Sequence, residues 1–118
     1  MGRRSRRRGR EPLAAPAVDY TDPEGNVLTL RGSLSPATRR EYAQVAAGSP
    51  LSREDAWQRA VEFLFERLVV RWTIAGLPIE RQEEVLGRYR MASGEERTWI
   101  RDVLRKHVAE HFPDLDAP

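Results

Sequence analysis

Residues Ala56–Ala75 contain neither glycine nor proline, and this uninterrupted stretch is the strongest constraint on how the chain can fold. At a helical rotation of about 100° per residue, several of its side chains fall on one apolar stripe. These are Trp57, Val61, Leu64, Leu68, Trp72 and Ala75. Ser52 is a suitable cap before the stretch, and Gly76-Leu77-Pro78 ends it. The pattern predicts one long helix over residues 53–75.

The same predicted helix carries a second apolar strip, formed by Phe63, Val70 and Ile74 and bordered by Arg59 and Arg67. A helix that is apolar on two sides either lies in the centre of its domain or contacts a partner. A central position would give the rest of the fold a surface to pack on. The alternative is an interface with a protein partner or a second copy, for which Phe63, Val70 and Ile74 are the predicted contact residues.

Residues 17–31 have the pattern of a β-hairpin. Apolar and polar residues alternate at Val18–Thr21 and again at Val27–Leu30. Between them, Asp22-Pro23-Glu24-Gly25-Asn26 favours a turn, because proline presets the first turn dihedral and glycine accepts a positive φ. A single hairpin is marginally stable in water, so it must pack against helices or pair with another chain.

Three shorter helices are predicted around the long one. Ser35-Pro36 supplies a cap and a first helical residue for one of them. A second is expected over about residues 79–92. Ser93 and Glu96 form a capping box for the last helix, which Pro113 ends.

These elements predict a mainly α (α+β) fold, a small bundle of about four helices preceded by a β-hairpin and a disordered basic N-terminal arm. The arm is expected at residues 1–16 and a short tail at 116–118. A single helical domain at 17–115 lies between them and begins with the hairpin at 17–31. A length of 118 residues is typical of one domain.

The N-terminal arm is rich in arginine. It contains Arg3, Arg4, Arg6, Arg7, Arg8 and Arg10. Removing these six from the 20 basic residues leaves 14 against 18 acidic ones, so the rest of the chain has a net charge of −4. The arm has no aromatic or amide side chain that could read bases, so we predict that its arginines bind polyanions without sequence specificity. A solubilising tail, or a start codon placed too far upstream, are the alternatives.

No group of residues converges on a catalytic site. The chain has no cysteine, and it contains no glycine-rich phosphate loop or nucleophile motif. His107 and His111 are four residues apart, a spacing that could place two imidazoles on one metal ion, but the residues between them do not form a metalloprotease motif. A hydrogen-bonded histidine at the edge of the core is the ordinary alternative for His107. We predict no enzymatic activity, no cofactor and no metal site.

Gly76-Leu77-Pro78 stands where the turn of a helix-turn-helix DNA-binding motif would stand. The helix predicted after it, however, begins with Glu80, Glu83 and Glu84. Three carboxylates would face DNA phosphates unfavourably, which argues against a recognition helix.

These observations predict a non-catalytic protein-interaction or adaptor module whose basic arm adds non-specific polyanion affinity. Its partner would be another protein or a second copy of the chain. A sequence-independent nucleic-acid-associated accessory protein is one alternative, and a phage or mobile-element assembly factor is another. We expect a cytoplasmic bacterial protein without a membrane span, because no apolar run approaches the roughly 18–20 residues that a bilayer requires.

Overall fold

The predicted N-terminal hairpin is present, and it forms one half of a four-stranded antiparallel sheet. The computed structural model describes residues 16–47 and 53–117. The elements follow one another as β1 (Val18–Thr21), β2 (Val27–Leu30), α1 (Pro36–Ala47), α2 (Arg53–Leu68), β3 (Val69–Ile74), β4 (Leu77–Ile79), α3 (Gln82–Arg90) and α4 (Gly94–His111). The strands are ordered β1-β2-β3-β4 across the sheet, and each neighbouring pair is antiparallel.

The loop between β1 and β2 is closed by one aspartate. The Oδ1 atom of Asp22 accepts hydrogen bonds from the backbone N–H groups of Glu24, at 2.8 Å, and Asn26, at 2.9 Å. Gly25 has a φ of 88°, which a residue with a side chain adopts only at a cost. The turn chemistry read from the sequence therefore fixes the register of this hairpin, with Thr21 opposite Val27.

The predicted helix over residues 53–75 is wrong in its last part, because α2 ends at Leu68 and the chain continues directly as strand β3. Four of the six residues of β3 are β-branched and one is tryptophan, and such side chains favour an extended backbone. Pairing with β2 also satisfies the backbone polar groups of the segment. Among the described residues, 57% are helical and 18% are in strands, so the fold has the expected four helices but is mixed α+β and not a pure helical bundle.

A two-residue turn joins β3 to β4, where the sequence predicted the joint between two helices. Ala75 and Gly76 have φ values of 52° and 80°, the left-handed pair that suits a tight hairpin. The backbone N–H of Ala75 donates to the Oδ1 atom of Asn26 at 3.0 Å, which ties this turn to the β1–β2 loop. The arrangement required by a helix-turn-helix motif is therefore not formed at this position.

The helices pack against the sheet face that carries Tyr20, Leu28 and Trp72, which are cross-strand neighbours. Leu28 and Trp72 share one core with buried side chains of the helices: Ala60, Val61, Leu64, Phe65, Leu68, Val85, Tyr89, Ile100, Val103, Leu104 and Val108. Helix α2 contacts each of the other three helices. A central position therefore accounts for the apolar residues on more than one side of α2.

The starts of α1 and α4 agree with the sequence, whereas α3 begins at Gln82 and not at about residue 79, because Leu77–Ile79 form strand β4. The hydroxyl of Ser35 accepts from the backbone N–H of Thr38 at 3.1 Å. Ser93 and Glu96 form the predicted capping box, with bonds of 3.1 and 3.0 Å in the two directions. Ser52, the predicted cap of α2, lies outside the described residues.

Candidate functional site

The predicted polyanion-binding arginines, Arg3, Arg4, Arg6, Arg7, Arg8 and Arg10, lie outside the described residues. Their role therefore stays a prediction from charge.

The predicted partner-binding residues do not share one helix face. Phe63 is on α2, whereas Val70 and Ile74 are on β3. Phe63 is half-buried with its ring 6.2 Å from that of Tyr42, and the Arg67 guanidinium lies 4.6 Å above the Phe63 ring. Because α2 ends at Leu68, these three residues do not form the single helical strip that the periodicity predicted, and their contact with a partner stays a prediction.

Val70 and Ile74 occupy different environments on β3. The pairing with β2 shifts between Thr29 and Leu30, so Val70 has no partner opposite it. Ile74 is the last residue of β3 and pairs with Leu77, the first residue of β4. Of the three predicted residues, only Ile74 therefore adjoins the hairpin turn.

An exposed apolar side chain lies directly beside Ile74. Leu77 is 72% exposed, although it belongs to a strand of the sheet. We call the segment Ile74–Pro78 the hairpin tip; it contains the turn and the start of the edge strand β4. The sequence contains a signal for this surface, since Ala75-Gly76 separates a β-branched run from Leu77-Pro78-Ile79, but a glycine and a proline at these positions are equally typical of a helix end.

His107 on α4 is completely buried and uses both ring nitrogens. Nε2 lies 2.7 Å from the backbone oxygen of Arg31, and Nδ1 lies 2.8 Å from the hydroxyl of Tyr20. A carbonyl oxygen can only accept, so the proton is on Nε2, and Nδ1 accepts from the Tyr20 hydroxyl. Burial lowers the pKa of His107, and the neighbouring His111 lowers it further. The residue is a neutral, hydrogen-bonded histidine in the core, as the ordinary alternative predicted.

The spacing of His107 and His111 does bring their rings together, with centroids 4.5 Å apart. The lone pair of His107, however, is already engaged by Tyr20. Within residues 16–47 and 53–117, no group of three or more histidine, aspartate or glutamate side chains is arranged to hold a metal ion. In this geometry His107 stabilises the contact between α4 and the sheet.

A depression of about 500 Å³ lies between α1, α2 and the C-terminal segment. Its charged lining residues are Arg53, Asp114 and Asp116. Asp114 is exposed and forms an ion pair with Arg39 at 2.7 Å. The hydrogen bond from Arg39 lowers the pKa of the Asp114 carboxyl, so this carboxyl is ionised at neutral pH and is poorly suited to donate a proton.

No protein-family model, curated protein or solved structure matches the chain. None of the helices in the described part of the chain is long and apolar enough to cross a bilayer.

Proposed function

We propose that the protein is a non-catalytic interaction module that contacts another protein, or a second copy of itself, through the hairpin tip. One observation carries this proposal: Leu77 is 72% exposed at the outer edge of the sheet. Removing an apolar side chain from water is the dominant favourable term in most protein–protein association. We propose this surface in place of the predicted Phe63/Val70/Ile74 strip, of which only Ile74 belongs to the tip.

The chemistry of β4 favours contact through side chains over addition of another strand. Ile74 and Leu77 close a two-residue hairpin, so their backbone groups face each other. The backbone of Pro78, the next residue, then faces away from β3, and proline has no N–H to donate. An edge strand with proline at its outward-facing position resists pairing with another strand.

Two properties of the titratable groups support a role without catalysis. The His107 imidazole is neutral and has both nitrogens engaged, so this histidine is not free to act as an acid or base. The backbone N–H of Ser93 lowers the pKa of Glu96, so this carboxyl too is ionised at neutral pH.

A matched pair of substitutions tests the interface. Leu77→Ser removes the apolar side chain from the hairpin tip, and Met91→Ser removes another exposed one, 83% exposed, beyond the end of α3. We expect Leu77→Ser to abolish self-association in light scattering, or capture of a partner in pull-downs, while Met91→Ser leaves both unchanged. A wild-type chain that is monomeric and captures no partner would refute the proposal.

The basic arm is proposed to add sequence-independent attraction to polyanions, in a cytoplasmic bacterial protein. Its charge also favours the second candidate, a nucleic-acid-associated accessory protein. If all six arginines contact phosphates, the logarithm of the binding constant should fall with the logarithm of salt concentration at a slope of roughly −4 to −5. Deleting residues 2–10 should remove that dependence; DNA binding that is unchanged by the deletion would rule out a role of the arm.

A further inference from the structure

A small cleft between α2, α3 and α4 contains two arginines on the same side of α4. The cleft has a volume of about 190 Å³. Its polar side chains are those of Gln58, Tyr89, Arg97, Thr98 and Arg101, and Trp57 forms an aromatic wall. Arg97 and Arg101 are one helical turn apart, a spacing that places their side chains on one face of α4.

Both guanidinium groups are held by aromatic rings. The Cζ atom of Arg101 lies 4.9 Å from the centre of the Trp57 ring, and that of Arg97 lies 5.5 Å from the centre of the Tyr89 ring. Stacking of this kind restricts the rotamers of a long side chain, so that less entropy is lost when an anion binds. Arg97 is further fixed by a hydrogen bond of 2.7 Å from Nη2 to the backbone oxygen of Arg90.

The positive charge of the cleft is poorly compensated. Five other arginines each have a carboxylate oxygen within 3.5 Å: Arg39, Arg67, Arg71, Arg88 and Arg90. In contrast, the closest carboxylate of Arg101 is that of Asp102, with an oxygen 3.9 Å from Nε, and Nε is buried without a hydrogen-bond partner among the described residues. Arg97 forms no ion pair with a carboxylate in the described part of the chain.

The remaining polar groups of the cleft can all donate. Within the described ranges, the Tyr89 hydroxyl, the Thr98 hydroxyl and the Gln58 amide form no hydrogen bond, and no carboxylate lines the cleft. Burial is the main cause that raises the pKa of the Tyr89 phenol. The positive charges of Arg97 and Arg101 oppose that rise, whereas the carboxylate of Glu62, which is ion-paired with Arg90 outside the cleft lining, adds to it. The cleft therefore combines two fixed cations with three further donors.

From this geometry we infer that the cleft between Trp57, Arg97 and Arg101 is a binding site for a phosphate group. A phosphate monoester presents three strong acceptor oxygens, whereas a carboxylate presents two. Guanidinium groups match such oxygens through pairs of parallel hydrogen bonds. The volume is below the roughly 300–1,000 Å³ of pockets that enclose a whole small molecule, so a single phosphate would enter and any group attached to it would stay outside. The inference is independent of the interface proposed at the hairpin tip.

Titration of the full chain by nuclear magnetic resonance tests the site. Inorganic phosphate, a nucleoside monophosphate and acetate would be added separately at constant ionic strength and pH 7.5. The indole N–H signal of Trp57 is the reporter, and that of Trp99, which does not line the cleft, is the internal control. We expect phosphate to shift the Trp57 signal saturably and acetate to leave it unchanged. Tighter binding of the nucleoside monophosphate would identify an attached base and sugar as part of the ligand; equal binding would identify the phosphate alone.

Variants that each lose one positive charge distinguish phosphate binding in the cleft from phosphate binding by the arginine arm, because the arm is unchanged in all of them. Arg101→Gln and Arg97→Gln should each weaken phosphate binding by about tenfold or more, since each removes a charge-assisted hydrogen bond. Arg40→Gln, an exposed change on α1, should alter it by less than about twofold, which corresponds to the small effect of distant surface charges. Arg97 is exposed, so its variant should keep the spectrum of the folded chain. An equal loss in Arg40→Gln, an equal response to acetate, or no saturable shift would overturn the inference.

Discussion

The hydrogen bond from Tyr20 to His107 should contribute measurably to stability, and Tyr20→Phe isolates it. Tyr20 is on the edge strand β1 and His107 is on α4, so the bond joins the sheet to the last helix. Phenylalanine keeps the ring, whose centre lies 5.6 Å from that of His107 in an edge-to-face arrangement. The substitution removes only the hydroxyl that donates to Nδ1.

The expected cost follows from the burial of the acceptor. Removing one partner of a hydrogen bond and leaving a buried acceptor unsatisfied costs about 1–3 kcal/mol. Tyr20 is only half-buried, so water can partly replace its hydroxyl, and we expect a loss of about 1–2 kcal/mol in the free energy of unfolding. With a urea m-value of about 1.5 kcal/mol/M, the unfolding midpoint would fall by roughly 1 M.

Urea unfolding at pH 7.5, followed by tryptophan fluorescence, measures this difference. Tyr89→Phe is the matched control, because the Tyr89 hydroxyl forms no hydrogen bond with any described residue. Its midpoint should correspond to a change of less than about 0.5 kcal/mol, since no bond is lost. If Tyr20→Phe costs no more than Tyr89→Phe, the assigned tautomer and role of His107 are refuted.

Other predictions concern pH, the hairpin turn and a helix cap. Burial lowers the pKa of His107 below its unfolded value of about 6.5, so as the pH falls the unfolded chain takes up the proton first. The contribution of neutral His107 to stability is therefore complete above about pH 6.5 and is lost as the pH falls through the folded pKa. The free energy of unfolding between pH 7.5 and 5 should therefore fall more steeply for the wild type than for His107→Gln, and parallel profiles would contradict this. Gly76→Ala should cost about 1–2 kcal/mol in thermal unfolding because its φ is 80°, whereas Gly87→Ala, in a helix with open space around it, should stabilise by about 0.5–1 kcal/mol. Ser93→Ala should cost about 1 kcal/mol in the same assay through loss of the capping box, and an unchanged melting temperature would exclude that role.

Local turn and cap chemistry was readable from the sequence. The β1–β2 loop, the Ser35 cap and the capping box of α4 each depend on residues within five positions of one another. Such interactions leave a pattern of residue types at fixed spacing, which the sequence displays directly. They were predicted correctly for this reason.

The end of α2 was not predicted, because two periodicities coincide there. Leu64, Leu68 and Trp72 are spaced by four residues, as on a helix face, yet Trp72 is buried from a strand. The β-branched residues of Val69–Ile74 were the opposing signal, and pairing with β2, far away in sequence, decided the outcome. Because α2 ends at Leu68, the candidate interface lies at the hairpin tip and not on a helix.

Contacts between distant segments explain the remaining gaps. Tyr20 and His107 are 87 residues apart, so no spacing rule connects them. The cleft of Arg97 and Arg101 requires Trp57 from another helix, and only the packing of α2 against α4 brings them together. The sequence contained these residues, but their proximity is a property of the fold.

Site-specific photo-crosslinking in living cells tests the central claim, that the hairpin tip is the contact surface. A photoreactive phenylalanine analogue at Leu77 would be compared with the same analogue at Met91, both exposed positions at which it should not disturb the core. We expect a discrete crosslinked product, with another protein or with a second copy of the chain, from position 77 and not from position 91. Crosslinking at position 91 alone, or at neither position, would contradict the proposed interface.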